Sequence, residues 1–139
     1  MKLILVCAVT SFSLPLTSAS QSGPEAKPAN KPAVVGDWHG TSLCLVKPSA
    51  CHDEEALYHV KTAPEKPGGL AMQADKIVDG KPESMGDADC SFDAAKKLLH
   101  CDLGRSTIEL TLEGDRLEGA MFLRDKTRWR EIKLTRVKS

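Results

Sequence analysis

The sequence has 139 residues, balances 19 basic against 19 acidic side chains, is 41% hydrophobic, and holds two Trp, one Tyr and three Phe. That length argues for one domain, and a neutral chain with no basic stripe argues against a nucleic-acid binder. So few aromatic residues predict a small core that needs covalent support.

Met1-Lys2 precedes the apolar run Leu3 to Val9, and small residues follow up to Ala19. A charged start, a short apolar run and a small-residue exit predict a secretory signal over residues 1–19, cleaved after Ala19 or, alternatively, Ser20. The run falls well short of the ~20 residues a spanning helix needs, so no membrane span is expected in the mature chain. Loss of Lys2 leaves 18 basic against 19 acidic groups. Residues 20–32 (SQSGPEAKPANKP) are rich in proline and nearly devoid of apolar side chains, which predicts a flexible leader. The folded domain is expected over residues 33–139.

Four cysteines remain after the signal: Cys44, Cys51, Cys90 and Cys101. An even number in an exported chain predicts two disulfides in a secreted or periplasmic protein. Three pairings are possible. Cys44 with Cys51 and Cys90 with Cys101 is favoured, because each pair brackets a turn-like segment.

From Ala33 onward the punctuation is that of hairpins. Val34 to Val46 reads as a first strand with Trp38, Gly40, Ser42 and Cys44 on one face. Ala56 to Ala63 and Gly69 to Val78 follow, the latter closed by the tight-turn dipeptide Asp79-Gly80. Pro82 to Met85 reads as a short or edge strand, since proline cannot donate to an internal ladder. Cys90 to Phe92 and Leu98 to Leu103 are expected to pair across a turn. A helix over Asp93 to His100 competes, because Ala-Ala-Lys-Lys-Leu-Leu is good helix material, but a disulfide spanning it would fit poorly. Ile108, Leu110 and Leu112 alternate with polar residues, then come Leu117 to Leu123 and a last run from Thr127 to Val137. The expected fold is all-β: an antiparallel up-and-down barrel or curled meander of about eight strands.

Gly36-Asp37-Trp38 in the opening strand resembles the start of the calycins, the lipocalin and fatty-acid-binding superfamily. The resemblance implies a Gly-x-Trp at Gly36 and Trp38, with an arginine of the last strand, Arg130 or Arg136, resting on the indole. It also implies a small apolar or amphipathic ligand at the barrel mouth, although a barrel this short can be filled by its own side chains. The Thr-Asp-Tyr motif of lipocalins is missing. The wider pattern GDWHG, CLVKPSACHDE and YH resembles small secreted bacterial proteins without an assigned activity.

The most polar stretch is Cys51-His52-Asp53-Glu54-Glu55 with His59. His52, Asp53 and His59 are candidate ligands for a divalent metal, Glu54 an alternative carboxylate, and His39 or His100 could complete the shell. No metal-ligand spacing supports that set, and the same residues read equally as a solvated loop in which Asp53 caps a turn. Ser42 and Ser49 lie near histidines without a Gly-x-Ser-x-Gly elbow. The carboxylate pairs Asp87/Asp89 and Asp53/Glu54 would need a cleft to raise one pKa. No catalytic set and no cofactor can be assigned from these residues. The expectation is a binding protein for a small ligand or an envelope partner, with a metal-binding or metal-dependent role for His52, Asp53 and His59 as the alternative.

Overall fold

The computed structural model describes residues 30–139, so the expected signal and all of the leader before Asn30 lie outside the described residues. Eight strands follow in chain order: β1 Gly36–Cys44, β2 Glu54–Thr62, β3 Leu70–Val78, β4 Lys81–Asp93, β5 Leu98–Asp102, β6 Ser106–Glu113, β7 Arg116–Leu123 and β8 Arg128–Arg136. Each pairs antiparallel with its chain neighbour, and β8 returns to β1, closing the barrel. Among the described residues only a three-residue 3-10 turn, Pro67–Gly69, interrupts the β structure.

Period-two alternation decides which side chains fill the barrel. On β1, Trp38, Ser42 and Cys44 are buried between exposed neighbours, and β6 buries Ile108, Leu110 and Leu112 while Glu109, Thr111 and Glu113 face out. Trp38, Tyr58, Met72, Leu99, Ile108 and Ile132 are among the side chains exposed by less than 2%, so the interior is packed. Polar residues such as Asp37, His39, Glu55 and Glu109 lie outside. That polarity is the reverse of a lipid-embedded barrel, whose outer band is apolar.

Two strands expected separately, Pro82 to Met85 and Cys90 to Phe92, are one 13-residue strand. The reason lies in its neighbour: β5 pairs only with Asp89 to Asp93, so Lys81 to Ala88 run along a free edge where Pro82 gives up no ladder bond. Met85 is the extra residue of a bulge where Ala74 opposes Gly86 and Asp75 opposes Ser84. The segment after Asp93 forms a turn, not the competing helix.

Both disulfides join the favoured partners, Cys44 with Cys51 and Cys90 with Cys101. The first ties the β1–β2 connection to the end of β1. The second joins directly opposed residues of β4 and β5 inside the barrel, with Met72 against it. Closing loops this short contributes about 2 to 3 kcal/mol each in the chain-entropy model.

One end of the barrel is plugged by the chain's entry. Val34 is fully buried, and its carbonyl accepts the Trp38 indole N–H at 2.9 Å. Arg136, opposite Trp38 in the β1–β8 register, lays its guanidinium 4.2 Å from the indole centroid. The same guanidinium donates to the carbonyls of Val35 and Ala33 and to Asp115. Gly36 sits at φ 148°, and a Cβ there would come within 2.9 Å of Arg136 Nη1, so glycine leaves room for the arginine over the ring. At Gly40 a Cβ would come 2.0 Å from the Lys133 carbonyl, so only glycine lets β8 approach β1 this closely.

Trp38→Ala should destabilise the barrel by about 3 to 5 kcal/mol, as loss of a buried large aromatic does. Urea unfolding would show this as a lower midpoint; an unchanged midpoint would mean that the indole does not hold the plug.

Candidate functional site

The polar residues within the barrel gather near the end opposite Trp38. Arg130 on β8 points inward in phase with Ile132 and Leu134. Its guanidinium donates to the Ser42 carbonyl at 3.1 Å, the Ser42 hydroxyl at 3.2 Å and the His52 carbonyl at 3.0 Å, and pairs with Glu54 at 3.2 Å. Tyr58 lies next to this network. Burial pushes its phenol up to about 12; the Glu54 carboxylate adds to the rise, while the Ser42 hydroxyl and the Arg130 charge oppose it. Among the described residues every buried side-chain nitrogen and oxygen has a partner. Arg130 therefore anchors the disulfide-bonded β1–β2 connection, whereas the indole takes Arg136.

The sequence cluster His52, Asp53 and His59 is dispersed. Asp53 accepts the Cys44 backbone N–H at 2.8 Å, and His52 enters the network through its carbonyl. His59 lies five residues into β2, roughly 17 Å along the strand from Glu54 at the usual rise. There it faces Asp37 at 2.7 Å through Nδ1 and Asp75 at 3.5 Å through Nε2, and Gln73 donates to Asp75. His39 pairs with Glu55 at 2.6 Å and His100 with Glu109 at 3.5 Å, both on the outer surface. Among the described residues no three His, Cys, Asp or Glu side chains converge as a metal site would require. Ser42 is bound to Arg130, and Ser49 holds the Val46 carbonyl in the β1–β2 connection, so neither faces a histidine as a nucleophile would.

At the plugged end, reasoning from sequence missed a depression of about 590 Å³ lined by Asn30 to Ala33, Phe92, Ala94, Lys97, Leu112 and Gly114. Phe92 and Leu112 supply its floor from the ends of β4 and β6, and the Leu112 N–H donates to the Lys97 carbonyl. Lys31 and Lys97 stand exposed at its rim, and among the described residues neither is ion-paired. An apolar floor with two free ammonium groups beside it can take an amphipathic anion. No signal within a single stretch marks this place, because its walls come from three separate parts of the chain.

Comparison with known protein families, curated proteins and solved structures finds no match to this chain. The calycin resemblance therefore rests on the residues themselves.

Two outcomes follow for the interior network. Arg130→Leu should cost about 3 to 5 kcal/mol, because it leaves Glu54 without its partner, and chemical denaturation would read the loss. Tyr58 is the only tyrosine, so absorbance at 295 nm reports it alone, and tyrosinate should appear only near pH 12 or on alkaline unfolding. The unfolded phenol loses its proton near pH 10 while the folded one keeps it. Stability should accordingly fall by about 1.4 kcal/mol per pH unit between those values and be unaffected by this group below them.

Proposed function

We propose that this chain is an exported binding protein, secreted or periplasmic, whose barrel serves as a rigid scaffold for a small amphipathic anion bound at the plugged end. The apolar part of the ligand lies against Phe92, Ala94 and Leu112, and its acid group sits between Lys31 and Lys97. The depression beside those two unpaired lysines is the observation that carries this reading. Export is supported by the signal-like start and by two disulfides closed within their own hairpins. The packed interior argues for a ligand outside the staves of the barrel rather than deep within them, which departs from what the calycin resemblance implies.

Dodecanoate is a suitable probe. Titrated into the chain beginning at Ser20, it should shift the backbone amides of Ala94, Lys97 and Leu112. Lys97→Glu should weaken it about tenfold or more, the scale of one lost charge-assisted hydrogen bond. Absence of binding, or binding indifferent to Lys97→Glu, would overturn the assignment. Shifts confined to the opposite end would overturn it as well.

A further inference from the structure

At the end opposite the plug, the structure assembles a cationic rim from two connections and the start of β8. The β5–β6 connection carries Arg105, and the β7–β8 connection carries Arg124 and Lys126, with Arg128 opening β8. Arg124 clamps the two connections together, donating through Nε and Nη2 to the Gly104 carbonyl at 3.0 and 2.7 Å. Arg105, Leu123, Arg124 and Asp125 line one open depression of about 680 Å³. Among the described residues Arg105 and Lys126 have no ion-pair partner, and Arg128 reaches only Glu131, at 3.9 Å. The nearby carboxylates are engaged: Asp125 with the Thr127 N–H, Asp102 with the Gly104 N–H, and Glu131 between Arg128 and Lys133.

Apolar side chains stand beside these cations. The Leu45 N–H donates to the Trp129 carbonyl, which places the end of β1 next to the start of β8. Leu43 and Leu45 are 36% and 43% exposed, and Trp129 is half-buried. Large aliphatic groups left open to water next to unpaired cations form an amphipathic surface. A bilayer with anionic headgroups matches both features at once, its phosphates facing the cations and its acyl boundary taking the apolar side chains. We propose that this rim docks on an anionic lipid surface, with Leu43, Leu45 and Trp129 entering the headgroup layer and Arg105, Lys126 and Arg128 meeting the phosphates. The charged outer wall limits the contact to this end, so the barrel rests on the membrane and does not enter it. The ligand depression at the opposite end would then face away from the bilayer.

Flotation with vesicles tests this, using the chain from Ser20, which contains the complete barrel and lacks the apolar residues 3–9. Vesicles of phosphatidylcholine and phosphatidylglycerol in equal parts should bind at least about tenfold more protein than phosphatidylcholine alone, and added salt near 1 M should abolish the difference. The pair Arg105→Glu and Lys126→Glu should lower binding about tenfold or more. The pair Leu43→Ser and Leu45→Ser should weaken binding while preserving its salt dependence. Equal binding to both vesicle types, no binding, or no response to the charge pair would overturn the proposal. So would retention on soluble heparin combined with vesicle binding indifferent to the leucine pair, since charge alone would then account for the contact. The charge pair lies in connections and carries the test even if the leucine pair disturbs β1. Lys97→Glu should leave vesicle binding unchanged, which separates this result from that of the ligand depression.

Discussion

The stacking of Arg136 on Trp38 is the contact on which the closure of this barrel depends. It joins the first strand to the last, opposite residues in one register, and it brings the segment before β1 over the end of the core. A guanidinium over an indole is worth about 0.5 to 2 kcal/mol by itself. Its larger effect is positional, since the same group ties together Ala33, Val35 and Asp115. Gly36 makes the stack possible by vacating the space that a side chain would occupy. The Gly-x-Trp spacing thus has a steric explanation independent of ancestry.

The two ends of the barrel divide the remaining work. At the plugged end, apolar floor residues lie beneath two exposed lysines; at the other, Arg130 stabilises a disulfide-bonded connection from within while the outer rim gathers cations. Between them the interior is filled, so the strands hold the two surfaces apart rigidly. The inward ion pair of Arg130 with Glu54 is backed by the Ser42 and His52 oxygens that accept from the same guanidinium, the condition under which such a pair is tolerated beside a core.

Much of the fold was legible in the sequence. The alternation at Ile108, Leu110 and Leu112, the Asp79-Gly80 turn and the short cysteine spacings are local signals, and all report local structure. What escaped reading depended on neighbours distant in the chain. Whether Pro82 could sit inside a long strand turned on how far β5 reaches. Whether Arg130 or Arg136 meets the indole turned on the β1–β8 register, because both arginines share a phase. Glu54 lay outside the expected strand Ala56 to Ala63, so its inward position beside Arg130 emerged only when β2 proved to begin two residues earlier. His52 and His59 looked close on the page, but the extended strand that starts at Glu54 carries His59 away from the connection that holds His52. Arg124, Lys126 and Arg128 stand in one stretch, but Arg105 joins them only through the contact of Arg124 with the Gly104 carbonyl, which no local pattern announces.

The cysteine pairing bears on how such a barrel matures. Each sulfur bond spans a separation of only seven or eleven residues and lies wholly within one pair of consecutive strands. A nascent chain emerging from its N-terminus can therefore complete the first crosslink before the second pair of thiols has appeared. Each thiol has its native partner as the cysteine nearest to it within its own strand pair. The meeting of the two outermost strands is left to register and packing, since neither crosslink joins β1 to β8.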